Sequence, residues 1–102
     1  AGASADALRS LIAGMLNRLA AGDLAGAAAH MTTTVRQRYS DAFARLAPSM
    51  PAVVENIGTV ESVTLGAGYG ELEVLRVRAD GVARYWVLAI QDGDGLWRFD
   101  GM

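Results

Sequence analysis

A change of period near residue 58 constrains this chain more than any other feature. Up to Val54 apolar residues recur every three or four positions, and from Thr59 onwards they recur close to every second one. The first spacing lines one face of a helix and the second one face of a strand. Helices first and a run of strands afterwards describe an α+β domain, with the helices stacked on one face of an antiparallel sheet. At 102 residues the chain fits one domain, 1–102, behind a short flexible segment at 1–5.

In the first half, Leu8, Leu11, Ile12, Met15, Leu16 and Leu19 share one helical face. They predict a helix over about 5–21, started near Asp6 and stopped by Gly22, which takes a left-handed cap without strain. The interior Gly14 marks a close helix contact. Asp23 is placed to cap a second helix, 23–31, rich in alanine. The β-branched run Thr32–Thr34 then suits an extended link. Thr34 and Gln37 match a capping box opening a third helix, 35–47, with Val35, Tyr39, Phe43 and Leu46 on one side. Pro48 ends it, and a short helical turn fits 50–56.

Four strands are predicted over about 59–66, 71–79, 82–91 and 96–100. Gly66, Gly68 and Gly70 form the first turn, Asp80-Gly81 the second, and Asp92-Gly93-Asp94-Gly95 the third. In the second strand Leu72 and Val74 lie on one face but Leu75 and Val77 on the other, so a bulge or a strand covered on both faces is expected. The third strand sets Arg84, Trp86, Leu88 and Ile90 against Tyr85, Val87 and Ala89. In the fourth, Trp97 and Phe99 point inwards.

Composition removes several function classes. With 52% hydrophobic residues the chain is a packed globule. It has no cysteine and one histidine, which gives a metal site little to build from. All nine cationic residues are arginines, spread along a chain of net charge −2. Nucleic acid or an anionic membrane surface would need them clustered, and no apolar run reaches the roughly 20 residues that span a bilayer.

Three stretches carry a resemblance. Leu19-Ala20-Ala21-Gly22-Asp23 is a helix break, Tyr39 and Phe43 an aromatic pair in the third helix, and Asp92 to Met102 a "D-G-x-W" final strand. In these the chain resembles the NTF2-like, cystatin-like α+β superfamily. The resemblance implies helices seated in the curve of a bent sheet, and for many members homodimerisation by sheet packing. It also points to an exported bacterial protein and hence an extracytoplasmic location. The superfamily holds both enzymes and binding domains, so fold does not supply function.

Candidate chemistry is sparse. His30, Tyr39 and Asp41 mix a base, a phenol and an acid, but Asp41 stands about 200° round the helix from Tyr39. Glu71 and Glu73 share a strand face, as do Arg76 and Arg78. Such same-face charges read as a solvent side, cross-paired with neighbours such as Arg84. Asp92 to Gly95 lacks the further oxygen ligands of a calcium loop. No catalytic residue, metal ligand or cofactor is assigned. Trp86 fills the core, walls a pocket or stands exposed as a partner anchor, and core filling is expected first.

The expected function is a non-catalytic accessory domain that associates with itself or another protein through its sheet. The alternative is a pocket for a small apolar ligand between helices and sheet, in an isomerase-like enzyme or a binding protein, lined by Tyr39, Arg84 and Trp86.

Overall fold

A computed structural model of the chain describes residues 5–102. Most of the segment expected to be flexible, residues 1–4, lies outside the described residues. The order is α1 (Ala5–Ala20), α2 (Leu24–Ala28), α3 (Thr33–Leu46), a 3-10 turn (Ala47–Ser49), α4 (Met50–Glu55), β1 (Thr59–Gly66), β2 (Tyr69–Arg78), β3 (Gly81–Gln91) and β4 (Trp97–Gly101). The strands form one antiparallel sheet in the order β1-β2-β3-β4, a meander in which each strand pairs with its neighbours in sequence. All four helices lie on one side of it.

The core is the surface that the period change marks out. Leu8, Ile12, Met15 and Leu19 of α1 are buried, with Met31 from the link after α2 and Val35, Phe43 and Met50 from α3 and α4. They close on Leu72, Val74, Val87, Ala89 and Phe99, the inward residues of β2, β3 and β4. Gly70 allows the approach: a Cβ there would collide with the Leu8 side chain. Gly14 opens a second close contact, since its Cβ would stand 3.3 Å from His30 Nε2.

The caps follow the sequence in α1 and α2. Gly22 (φ +81°) turns the chain after α1, with the Asp23 amide donating to Arg18 O at 2.9 Å and the Gly22 amide to Leu19 O at 3.1 Å. This pairing satisfies two terminal carbonyls. Asp23 Oδ1 then accepts from the Gly26 amide at 2.9 Å, the predicted N-cap.

Other expectations need correction. The second helix stops at Ala28 because the chain turns there to bridge Met31 to Phe99 in β4. Only Thr32 of the threonine run is extended; α3 begins at Thr33, and the Thr34–Gln37 capping box does not form. The Thr32 hydroxyl donates to Asp100 Oδ1 at 2.7 Å, so a contact from β4 takes the place of the cap. Pro48 bends α3 into the 3-10 turn, and α4 continues from it with Pro51 in its first turn. Of the three glycines assigned to the first turn, only Gly68 (φ +77°) lies in the loop; Gly66 ends β1 and Gly70 lies within β2. The bulge falls between Val60 and Ser62 of β1, leaving β2 in unbroken register with β3. A second shift lies between Leu88 and Ala89 of β3, opposite Asp100.

Candidate functional site

Two regions are left once the core is closed. The first is the open face of the sheet, turned away from the helices. Strand parity puts Tyr69, Glu71, Glu73, Leu75 and Val77 of β2 on it, opposite Ile90, Leu88, Trp86, Arg84 and Val82 of β3. Val77 is 80% exposed, Val82 64% and Trp86 52%. Val77 and Val82 stand directly opposite each other, as do Glu73 and Trp86. Between the two apolar ends lies one ion pair, Arg84 Nε to Glu73 Oε2 at 2.9 Å, and Glu73 also accepts from Ser62 Oγ at 3.2 Å. A cleft of about 450 Å³ beside Trp86 is walled by Glu71, Leu88, Gly101 and Met102.

Trp86 is therefore outside the core, contrary to the first expectation. β3 is apolar on both faces, so its pattern does not say which face turns inwards; the helices settle it by closing on Val87 and Ala89. Tyr39 lies across the sheet from Trp86, on α3, its ring 6.2 Å from Phe43 and 5.4 Å below the Arg38 guanidinium. The three residues expected to line one pocket do not share a cavity, yet all three border Met102. The Tyr39 hydroxyl accepts from the Met102 amide at 2.9 Å. Met102 in turn lines the cleft beside Trp86 and another that holds Arg84.

The second region is the end of the helix–sheet interface near α4. Arg76 is the one charged side chain among the described residues that β2 and β3 turn towards the helices, two places beyond the buried Leu72 and Val74 on the same face. It lines three clefts: about 450 Å³ with Ile57, Ala83, Arg84, Tyr85 and Met102; about 420 Å³ with Leu46, Ala52, Val53 and Asn56; and about 220 Å³ beside Glu55. Its guanidinium lies 5.9 Å from the Tyr85 ring centre, and its Nε is buried without a hydrogen-bond partner. Tyr85 donates its hydroxyl hydrogen bond to Ile57 O. Burial pushes the Tyr85 phenol above its usual range, and Arg76 partly offsets this.

The solvent-side reading of Arg76 is thus overturned. The signal was present in the sequence: Leu72, Val74 and Arg76 are spaced by two, so the arginine continues the inward stripe. The carboxylates did fall on the solvent side, with Glu73 cross-paired to Arg84 as expected.

The remaining candidates are held in local contacts. His30 Nδ1 is 2.9 Å from Gly26 O, and Gln37 donates to Asp41 at 2.9 Å. The aspartates of the third turn bind Arg98, whose Nη1 lies 2.7 Å from Asp92 Oδ2 and whose Nη2 lies 2.9 Å from Asp94 Oδ2. These contacts and the Leu96 amide hold the Asp94 carboxyl below the usual carboxylate range. Among the described residues no group of three or more His, Asp or Glu is placed to hold a metal ion, and no helix is long and apolar enough to cross a membrane.

Among solved structures, a Campylobacter jejuni protein provisionally described as an NTF2-like transpeptidase aligns with 92% of this chain and 97% of its own, at a TM-score of 0.58 and 15% identity. At that identity the likeness shows the fold alone, and the fold is NTF2-like. No protein-family model matches the chain, and no curated protein is significantly similar to it.

Proposed function

We propose that this NTF2-like domain is a non-catalytic association module that pairs with a second copy of itself through the open face of its sheet. The carrying observation is the exposure of Val77, Val82 and Trp86 on that face. An antiparallel sheet facing water ordinarily alternates apolar-in with polar-out. Here the outer face carries exposed apolar residues beside Glu71, Glu73 and Arg84, and exposed tryptophan is enriched where proteins meet.

A second copy is favoured over an unrelated partner by the pattern of the face. Its ion pair, Glu73 with Arg84, is flanked at both ends by apolar residues. A two-fold axis near the pair would set each Arg84 towards the opposite Glu73 and lay apolar ends on apolar ends. At about 3.3 Å per residue and 4.8 Å between strands, the sheet offers a footprint on the order of 500 Å². Two copies then bury about 1,000 Å² in total, the lower bound for a specific interface.

The non-catalytic reading is supported by the use already made of the chain's acids and bases. Glu73, Asp41, Asp92, Asp94 and His30 are each engaged in the contacts described above. The transpeptidase description of the Campylobacter jejuni protein is not carried over, because 15% identity conveys no active-site residue.

Sedimentation equilibrium tests the reading. The wild type should have the mass of a dimer at about 50 μM, a typical range for an interface of this size. Trp86→Arg should be monomeric with an unchanged far-UV spectrum and melting temperature. A wild type that stays monomeric in the millimolar range, or a Trp86→Arg dimer of equal affinity, would sink it.

A further inference from the structure

We infer that the clefts around Arg76 form a binding site for a small amphipathic carboxylate, whose oxyanion meets the Arg76 guanidinium and whose apolar body lies along the end of the helix–sheet interface. This site lies at the helix-covered end and meets the open face only at Arg84, and its test, ligand binding at Arg76, is read separately from self-association.

The argument starts from the position of the charge. An arginine on the core-facing stripe of a strand has to be neutralised or solvated, since an uncompensated buried charge is costly. Arg76 has no ion-pair partner among the described residues, and its Nε has no hydrogen-bond acceptor although it is buried. What the protein supplies is Tyr85, whose ring centre lies 5.9 Å away and whose phenol oxygen interacts with the guanidinium. A neutral phenol and its ring face attract the cation but do not neutralise it, and they leave Nε without an acceptor. The guanidinium fork keeps donors for a planar oxyanion, the partner its geometry matches.

The walls describe the rest of the ligand. On one side of Arg76 are Ile57, Ala83, Tyr85 and Met102, and on the other Leu46, Ala52 and Val53. Each cleft, at about 450 and 420 Å³, falls in the range of small-molecule sites. Neither is lined by an aspartate or glutamate side chain; Glu55 borders only the smallest of the three clefts. Arg84, on the rim of the first, adds positive charge, though Glu73 already engages it. One cation among apolar walls selects a monoanion with a hydrocarbon or aromatic body over a bare anion or a neutral lipid.

The test uses hexanoate as probe, with 1-hexanol and acetate as comparators, followed by amide and side-chain NMR shifts of the whole chain. Hexanoate should move Val53, Ile57, Arg76 and Tyr85 saturably, binding at least tenfold more tightly than either comparator, as expected where a charged hydrogen bond is added to apolar contact. Arg76→Met should lose at least tenfold in hexanoate affinity while keeping the dispersed spectrum of the folded chain. Arg76→Gln, which retains an amide beside Tyr85, should lose a similar amount. Shifts confined to other residues would overturn the inference. So would hexanol or acetate binding as tightly as hexanoate, or full hexanoate affinity in the folded Arg76→Met or Arg76→Gln variant.

Discussion

Arg84 Nε lies 2.9 Å from Glu73 Oε2 on a diagonal across β2 and β3, with Trp86 directly opposite the glutamate and Leu75 opposite the arginine. The pair is uneven: the Arg84 side chain is 62% exposed and that of Glu73 only 15%. Half of it already lies in water, so its contribution to folding is small. Glu73→Gln should change the free energy of unfolding by less than about 1 kcal/mol in urea titrations. The same variant should weaken self-association measurably, since it disturbs the centre of the open face.

Two glycines with positive φ should respond differently to alanine. Gly22 (φ +81°) has no atom within 4 Å of where a Cβ would stand, so Gly22→Ala carries only the conformational cost, about 1 kcal/mol. Gly58 (φ +113°) has the Leu75 carbonyl oxygen 2.5 Å from that point, a backbone atom that cannot swing away. Gly58→Ala should cost about 3 kcal/mol or more, because strain and collision add. Denaturation midpoints of the two variants check the order.

Acid should act through the turn that Arg98 holds. The folded Asp94 carboxyl lies below its unfolded value of 3.8, so its stabilisation is complete above that pH. It is lost as pH falls through the lower, folded value. The stability difference between wild type and Asp94→Asn should therefore be constant near neutrality and shrink towards zero at the acid end. Chemical denaturation across the acid range, with a carbon-detected titration of Asp94, measures both halves of this statement.

Alkali should act on Tyr85. Its phenol is raised above 10.0 chiefly by burial, and Arg76 opposes the rise. Stability tied to the neutral phenol is present below 10.0 and is lost as pH climbs through the folded value. Arg76→Met removes the opposing cation, so Tyr85 should ionise at still higher pH. Ultraviolet difference titration, with Tyr85→Phe to assign the signal, gives the shift directly.

The architecture was readable because local signals agreed with one another. The α1 stripe, the Gly22 stop and the Asp23 cap each named the same boundary, and all three are formed. The second hairpin was legible, but its turn is one residue earlier than Asp80-Gly81: Ala79 and Asp80 make the loop, and Gly81 (φ +141°) opens β3 opposite Arg78. Thr33 and Thr34 were misread because α3 starts straight after Thr32, whose hydroxyl answers to Asp100, 68 residues away, and no window around the threonines contains that partner.

The site was less legible than the fold. Trp86, Leu88 and Ile90 are as apolar as Tyr85, Val87 and Ala89, and alternation between equals carries no direction. Only the placement of Leu8, Met15 and Met31 decides which side is dry. Arg76 was concealed by a rule that serves most arginines, that charges on strands face water. Its meaning depends on Ile57 and Tyr85, which the chain brings beside it from 19 residues before and 9 residues after.

The bridge between Met31 and Phe99 also sets an order of assembly. The three hairpin pairings join neighbours in sequence and close short loops, which is fast. The helical half is tied to β4 by the Thr32 amide on Phe99 O and the Phe99 amide on His30 O, each 2.8 Å. That tie joins residues 30 and 32 to residue 99 and has a larger loop-closure cost than any of the hairpins. On a ribosome the helices must therefore wait, with Met15 and Met31 uncovered, until Phe99 has been added and has left the exit tunnel. A chain stalled before β4 would hold its helices beside an unfinished sheet and expose the Phe99 pocket to chaperones.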